Sequence, residues 1–398
     1  MLGPIAETGG ITFAISVVLT GLCVLVGRRL NALDAEGSAG HAKSMIRRVP
    51  NIGGVAILAS ILAGLVIHFA PIALATHAPL PDGLPSAEEQ LQSGVSDRIP
   101  MGVTLIACLL VLHVVGVVDD RRPLPALPKL GVMLGLGLVF PIFFDTRLFE
   151  FLDAPLGGAW ASIGLTALWF VAVTNAMNFM DNMDGLSGGT AVVAAALFLV
   201  AAITGEQWFI AATLAVLIGA VGGFLVWNLP PAKIFMGDGG SLVIGFLLAF
   251  LTVRTTYFTD TAAALEAAGV PLESIGTLTQ WEGVDEYRGW HAVFMPLCVL
   301  AVPLYDLVAV SVVRLSQGKS PMVGDEQHFS HRLRRRGLTV RQTLVVVYAL
   351  SAVTGIAGVL LTAVEDAWLA ALCGGQVIVI LAAMAVFEFG SRTREPAT

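Results

Sequence analysis

The chain alternates between long apolar stretches and shorter polar segments. A helix that spans a membrane needs about 20 mostly apolar residues. Eleven candidate stretches lie near residues 10–27, 52–75, 101–118, 129–145, 159–177, 187–204, 207–227, 240–258, 290–313, 341–363 and 367–389. The fourth contains Pro141 and the ninth contains Pro296 and Pro303, so we expect these two to be broken or kinked. The pattern predicts an all-α integral membrane protein with about 11 transmembrane helices in a single domain over residues 1–398.

Composition and the placement of charge support this prediction and add an orientation. Hydrophobic residues make up 56% of the chain and charged residues 13%, whereas a soluble domain carries about 25% charged residues. With the N-terminus outside and one crossing per helix, 18 of the 22 lysines and arginines fall on the cytoplasmic side. Because positive residues are retained on that side, we expect the N-terminus outside and the C-terminus in the cytoplasm.

The same alternation places five polar stretches on the cytoplasmic side, near residues 28–51, 119–129, 178–186, 228–240 and 314–341. The second stretch begins with Asp119 and Asp120, where the third helix leaves the membrane, and runs on to Lys129. Adjacent carboxylates repel one another and are costly to desolvate. They therefore favour a nearby cation or proton, although a solvated helix end is a simpler alternative.

The third stretch carries a polar stripe in which Asn175, Asn178, Asp181 and Asp184 recur every three residues. This spacing keeps the side chains near one face of a helix. Amide and carboxylate oxygens are ligands that Mg²⁺ prefers. The stripe therefore predicts a magnesium site.

A glycine-rich loop precedes the eighth apolar stretch and contains Asp238, shortly after Asn228. Glycines allow close approach of a phosphate, and the N-terminus of the following helix favours an anion. Asp238 is itself an anion, so its presence indicates a divalent metal that bridges it to the phosphate. A carboxylate that only caps the helix is the alternative.

The last stretch is basic and contains Arg314, His328, His331 and Arg332. These side chains offer hydrogen-bond donors to a diphosphate. A positive anchor that only fixes topology is the alternative reading. The first stretch, with Lys43, is a weaker signal of the same kind.

Together these groups suit a nucleotide diphosphate bound with Mg²⁺, because phosphoryl transfer depends mainly on positioning and charge neutralisation. The sequence contains no GxxxxGK[ST] motif, which argues against a P-loop ATPase. A site at the membrane implies that one substrate is a lipid. A transporter and a scaffold subunit are the alternatives from other classes, but transporter sites usually lie near the bilayer midplane.

Five motifs occur in an order that resembles the polyprenyl-phosphate N-acetylhexosamine-1-phosphate transferase family, glycosyltransferase family 4. They are PxxGG at residues 50–54, DDxxxLxxxxK at 119–129, NAxNxxDxxDGL at 175–186, NxPPAKxFMGDxGS at 228–241 and RxxxGxSPxxxDxxHxxHRL at 314–333. The resemblance implies that Asp119 and Asp120 are catalytic residues near the acceptor phosphate, and that one of them acts as a base. It implies that Asp238 and Asn178 bind the metal. Substrate-binding positions implied in the same way are Asp181, Asp184, Asn228, Lys129, Arg314, His328, His331, Arg332 and Lys43.

The resemblance also implies a reaction. The expected enzyme transfers a sugar 1-phosphate, preferably N-acetylglucosamine 1-phosphate, from a UDP-sugar to undecaprenyl phosphate and releases UMP. Mg²⁺ is the expected cofactor, with Mn²⁺ as a substitute, and no nucleic acid is involved. A lipid I-type transferase is the alternative activity, and both a direct and a two-step mechanism remain open. We expect a multi-pass protein of the bacterial plasma membrane with a cytoplasmic active site. A homodimer is one expected assembly, although the sequence identifies no interface.

Three residues depart from the family pattern. Asn182 stands where the family usually has glycine, Ser330 replaces the middle histidine of the HxHH run, and Met45 replaces a common histidine. The metal-binding positions are unaffected by these changes. The basic segment resembles the N-acetylglucosamine-phosphate branch more than the three-histidine form of the lipid I enzyme.

Overall fold

A computed structural model describes residues 2–29, 49–75, 99–256, 290–320, 327–364 and 366–389. Apart from loops, a single β-bridge residue and two short 3-10 turns, the described residues are α-helical. The helices are α1 Leu2–Arg29, α2 Gly53–Ala75, α3 Ile99–Arg121, α4 Ala126–Phe143, α5 Asp153–Leu156, α6 Trp160–Met180, α7 Leu186–Thr204, α8 Trp208–Asn228, α9 Asp238–Thr256, α10 Met295–Val299, α11 Ala301–Ser316, α12 Phe329–Arg335, α13 Val340–Leu361 and α14 Ala367–Phe389.

Ten of the helices in the described residues are long and apolar enough to cross a membrane. An eleventh span is formed by residues 291–299 and α11 together, which are bent by 68° at a short break. Pro296 and Pro303 lie on either side of this break, as expected for the ninth stretch. The expected break in the fourth stretch is absent, because α4 continues through Pro141 to Phe143. The prediction of an all-α membrane protein with about 11 spans is confirmed, whereas the orientation of its termini stays a prediction.

Helix α9 forms the centre of the bundle, and most of its membrane-spanning part is buried by other helices. An aromatic cluster fixes its position. Phe140 of α4 stacks on Phe170 of α6 at 5.6 Å between ring centroids. Phe140 also contacts Phe246 and Phe250 of α9, and Phe170 contacts Phe246. Close packing of this kind holds helices together in lipid, where burial from water contributes little. The apolar core therefore sets where the first residues of α9 lie.

The polar ends of the helices meet at one end of the bundle. The glycine loop before α9 pairs with the segment before α2, since Phe235 donates its N–H to Pro50 O at 2.8 Å. Gly53 and Gly54 donate in return to Phe235 O and Met236 O, both at 2.9 Å. The starts of α2 and α9 are thereby brought together, and the end of α3 joins them because Asp120 Oδ1 accepts the Asp238 N–H at 3.0 Å. The sequence stretches around residues 50–54, 119–129 and 228–240 thus form one surface.

Candidate active site

Asp119, Lys129 and Asp238 form an ion-paired cluster at this end of the bundle. The Lys129 ammonium donates to Asp119 Oδ2 at 2.6 Å and to Asp238 Oδ2 at 2.5 Å. Asp119 lies in the last turn of α3, Lys129 lies in the first turn of α4, and Asp238 begins α9. The backbone N–H of Leu124 also donates to Asp119 Oδ1 at 2.6 Å. One lysine therefore joins two of the predicted functional carboxylates across three helices.

Asp120 has different surroundings from Asp119. Its Oδ1 accepts the Asp238 N–H at 3.0 Å and the Asn51 Nδ2 at 3.1 Å, and its Oδ2 accepts the Gly239 N–H at 3.4 Å. Asp120 is therefore the anion that occupies the N-terminus of α9, a position that favours negative charge. The geometry gives Asp120 a role in holding α9, whereas Asp119 faces Lys129.

Gly116 permits this arrangement and was not identified from the sequence. It lies one helical turn before Asp120, so both residues are on the same face of α3. A Cβ atom at Gly116 would lie 2.4 Å from the backbone carbon of Asp238 and 2.4 Å from the Gly239 nitrogen. Only glycine lets α3 approach the start of α9 this closely. The sequence feature that could have identified Gly116 is its position on the same face of the predicted helix as Asp120.

Asn178 links α6 to the cluster, as the sequence predicted. Its Nδ2 donates to Asp238 Oδ1 at 2.8 Å and to Ser241 Oγ at 2.9 Å. Asn175 lies one turn earlier on α6 and donates to Val171 O at 2.8 Å. Asp181 follows the last residue of α6. The predicted convergence of Asp119, Asn178 and Asp238 is therefore present in the structure.

Asp184 and Asn228 connect two of the polar loops. Asp184 Oδ2 accepts the N–H of Ala232 at 3.0 Å. The Asn228 side chain is buried, accepts the Gly185 N–H at 3.0 Å and donates to Ile234 O at 2.8 Å. The oxygen and the nitrogen of the Asn228 amide thus both bond to backbone groups. Holding the two loops together is therefore sufficient to explain why an asparagine lies here. Its role in nucleotide binding stays a prediction.

The basic segment packs against the end of α6. Arg314 is 1% exposed, and its guanidinium lies 5.3 Å from the centroid of the Phe179 ring. His328 is also buried, and its Nδ1 lies 2.8 Å from Oδ2 of Asp306 in α11. Because Phe179 follows Asn178 directly, this packing places the basic segment beside the metal-ligand candidates. Asp306 was not identified from the sequence, because it lies inside an apolar stretch.

The two other predicted residues of this segment have different neighbours. The His331 ring centroid lies 6.3 Å from that of His328. Arg332 donates to Gln327 O and, at 3.3 Å, to Oε2 of Glu388 near the end of α14. The guanidinium therefore joins the basic segment to the last helix. Lys43 lies outside the described residues, so its predicted phosphate contact is untested.

Two residues that depart from the family pattern contact each other. Ser330 of α12 donates its hydroxyl hydrogen to Asn182 Oδ1 at 2.5 Å. The Asn182 Nδ2 in turn donates to the Phe179 carbonyl at 2.6 Å. The two departures thus form one connection between the basic segment and the loop after α6.

The composition of the cluster fits a magnesium ion. The carboxylates of Asp119, Asp120 and Asp238 would carry three negative charges when ionised, and Lys129 supplies one positive charge. In addition, the buried Oδ1 of Asn51, beside Asp120, has no hydrogen-bond partner among the described residues. Excess negative charge and available oxygen atoms are what a hard divalent cation requires. Asp238, with Asn178, remains the best-placed candidate ligand.

The fold and the site together define a multi-pass membrane protein with a carboxylate, amide and lysine cluster at one end of its helical bundle. A sequence profile described as "Glycosyl transferase family 4" matches residues 103–256. The chain belongs to this family.

Three relatives show how far the similarity extends. A "Probable undecaprenyl-phosphate N-acetylglucosaminyl 1-phosphate transferase" of Bacillus subtilis (strain 168) is 26% identical, over 87% of this chain and 81% of its own length. The "Decaprenyl-phosphate N-acetylglucosaminephosphotransferase" of Mycobacterium leprae is 26% identical over the same shares. The "Undecaprenyl-phosphate alpha-N-acetylglucosaminyl 1-phosphate transferase" of Escherichia coli (strain K12) is 30% identical over 66% of each chain.

Proposed function

We propose that the protein transfers N-acetylglucosamine 1-phosphate from UDP-N-acetylglucosamine to a polyprenyl phosphate such as undecaprenyl phosphate, with release of UMP. The observation that carries this proposal is the convergence of Asp119, Lys129, Asn178 and Asp238 from four helices at one end of a membrane-spanning bundle. Such a place is accessible both to a soluble nucleotide and to the head group of a lipid. The names of the three relatives support the donor sugar and the lipid acceptor.

In this reaction an oxygen of the lipid phosphate attacks the β-phosphorus of the nucleotide sugar. The bond between the β-phosphorus and the oxygen that bridges it to the α-phosphorus breaks, and UMP leaves with that oxygen. Asp119 is the candidate base that keeps the lipid phosphate ionised, because its carboxylate faces Lys129 and not the backbone of α9. Lys129 supplies the positive charge that offsets repulsion between the carboxylates and an incoming phosphate.

Asp238 and Asn178 are the residues that would hold Mg²⁺, with Mn²⁺ as a substitute. A bound divalent ion neutralises charge on the diphosphate. Asp120 contributes by holding the start of α9, and therefore Asp238, in place through two backbone N–H groups. Arg314, His328, His331 and Arg332 are the candidate donors to the diphosphate, and Asp181 and Asp184 the candidate contacts to the nucleoside. Of these side chains, Arg314 and His328 contact Phe179, the residue that follows Asn178.

The alternative activities have less support. The relatives named above are N-acetylglucosamine transferases, so a lipid I-type transferase is not favoured. Membership of glycosyl transferase family 4 favours an enzyme over a transporter or a scaffold subunit. We place the enzyme in the bacterial plasma membrane with its active site on the cytoplasmic face, as the distribution of lysine and arginine predicts.

The test offers the purified protein a panel of UDP-sugars with undecaprenyl phosphate and Mg²⁺, and identifies the lipid product by mass spectrometry. We expect product with UDP-N-acetylglucosamine and loss of UMP release in Asp238→Asn. The matched control is Asp145→Asn, which changes an exposed carboxylate beyond the opposite end of α4. Full activity of Asp238→Asn would refute the metal assignment, and product only with UDP-N-acetylmuramoyl-pentapeptide would refute the proposed donor.

A further inference from the structure

Asp306 is a buried acidic residue to which the reaction described above assigns no role. It lies in α11, and 1% of its surface is exposed. A buried carboxylate is costly unless its oxygens are satisfied by donors. The identity of those donors therefore indicates what the residue does.

Both oxygens of Asp306 accept hydrogen bonds from the start of the basic segment. Oδ2 lies 2.8 Å from Nδ1 of His328, and Oδ1 accepts the backbone N–H of Phe329 at 2.6 Å. An ionised carboxylate only accepts hydrogen bonds, so Nδ1 of His328 carries a hydrogen. The second ring nitrogen, Nε2, is then the atom that His328 can present to a ligand.

The rest of the His328 ring is held equally firmly. The Phe179 ring meets it edge to face, at 84° between the planes and 5.5 Å between centroids. Phe179 directly follows Asn178, which contacts Asp238. Among the residues that the structure describes, no hydrogen bond reaches Nε2 of His328. A fixed ring with one open nitrogen, in contact with the residue that follows Asn178, is the arrangement expected for a substrate contact.

We propose that Asp306 is a positioning residue that holds His328 with Nε2 directed to the diphosphate of the nucleotide sugar. The inference rests on the proposed function, since it requires a donor that carries a diphosphate. When the ring is protonated, the carboxylate pairs with its positive charge and Nε2 donates to a phosphate oxygen. Asp306 itself touches no substrate and acts only through His328.

Replacement of Asp306 by asparagine isolates this role, because the side chain keeps its size. An amide has one accepting group and one donating group. If the amide oxygen accepts the Phe329 N–H, its NH₂ group faces Nδ1 of His328. The ring hydrogen is then forced onto Nε2, and the negative charge that pairs with a protonated ring is lost.

The experiment is a double-mutant cycle with Asp306→Asn, His328→Ala and the combination, in the full-length protein in detergent. We expect Asp306→Asn to lower kcat/KM for UDP-N-acetylglucosamine about tenfold and to change KM for undecaprenyl phosphate by less than about twofold. In the His328→Ala background, Asp306→Asn should lower kcat/KM by less than about twofold. Ser311→Ala, also in α11, is the control, since its hydroxyl donates to Leu307 O within that helix at 2.7 Å.

Multiplicative effects of the two substitutions, or an equal loss for both substrates, would overturn the inference and indicate a purely structural role for Asp306. His328→Asn gives a second test that does not depend on the folding of Asp306→Asn. Its amide nitrogen can replace Nδ1 as donor to Asp306 but offers no counterpart of Nε2. We therefore expect His328→Asn to remain folded and to have the same kcat/KM for UDP-N-acetylglucosamine as His328→Ala. A wild-type kcat/KM for UDP-N-acetylglucosamine in this variant would contradict the proposal. Absence of UMP release by the wild-type protein with every UDP-sugar would instead refute the proposed function.

Discussion

Lys129→Met tests whether the lysine offsets the charge of the acidic cluster. The substitution removes two charge-assisted hydrogen bonds and leaves the carboxylates of Asp119, Asp120 and Asp238 without the ammonium. Each such bond contributes about 1.5–3 kcal/mol. The side chains of Lys129, Asp119 and Asp238 are 13%, 15% and 29% exposed, so water screens part of the interaction. From the lower end of the range for each bond, we expect a loss of about 3 kcal/mol in the free energy of unfolding.

The assay is thermal unfolding of the purified protein in detergent with EDTA and, separately, with millimolar Mg²⁺. We expect Mg²⁺ to restore more stability to Lys129→Met than to the wild-type protein, because a divalent cation can neutralise the carboxylates that the lysine no longer contacts. Lys319→Met, which changes an exposed lysine, is the matched control. Equal stability of Lys129→Met and wild type in EDTA would refute the role given to the ammonium.

Three further substitutions test the contacts around the site. Gly116→Ala should destabilise the protein by about 1–3 kcal/mol and reduce UMP release, because its methyl group meets the backbone of α9; unchanged thermal stability and activity would contradict the close approach. Tyr348→Phe removes a hydrogen bond of 2.5 Å to Gly185 O and should cost about 1 kcal/mol in the same unfolding assay; a cost of zero would show that this contact is unimportant. Ser330→Ala should cost about 1 kcal/mol in the wild type and nothing in Asn182→Gly, because the Ser330 hydroxyl donates to the Asn182 side chain and that acceptor is already absent from the glycine variant; equal costs in both backgrounds would exclude that coupling.

The sequence predicts the architecture and the convergence of the site well because both follow from regular patterns. Apolar stretches of spanning length define the helices, and strict alternation of crossings brings Asp119, Asn178 and Asp238 to one end. These two patterns need no knowledge of side-chain packing. The kink between Pro296 and Pro303 follows from backbone chemistry in the same way.

The partners of individual side chains could not be predicted, because they depend on how the helices pack. Asp119 and Asp120 are neighbours with the same chemistry, yet one pairs with Lys129 and the other holds the N-terminus of α9. The start of α9 favours an anion, and the sequence alone did not reveal that the Asp120 carboxylate accepts its first two N–H groups. Asp306 lies in an apolar stretch with no charged neighbour in sequence, so only the fold reveals its contact with His328.

Pro141 shows a limit of the local rules. Proline usually breaks a helix because it lacks an N–H group and its ring crowds the preceding turn. In α4 it lies two residues before the helix ends at Phe143. Pro141 is buried, and the preceding Phe140 belongs to the aromatic cluster, so tertiary packing holds the last turn in place.

In the proposed reaction the enzyme transfers a phosphorylated sugar and not the sugar alone. The most direct measurement uses UDP-N-acetylglucosamine labelled with ³²P in the β-phosphate, with undecaprenyl phosphate, Mg²⁺ and the purified protein. We expect the label to move into the lipid fraction while unlabelled UMP is released. Label that remains in the nucleotide as UDP, while the sugar reaches the lipid, would contradict the proposed reaction.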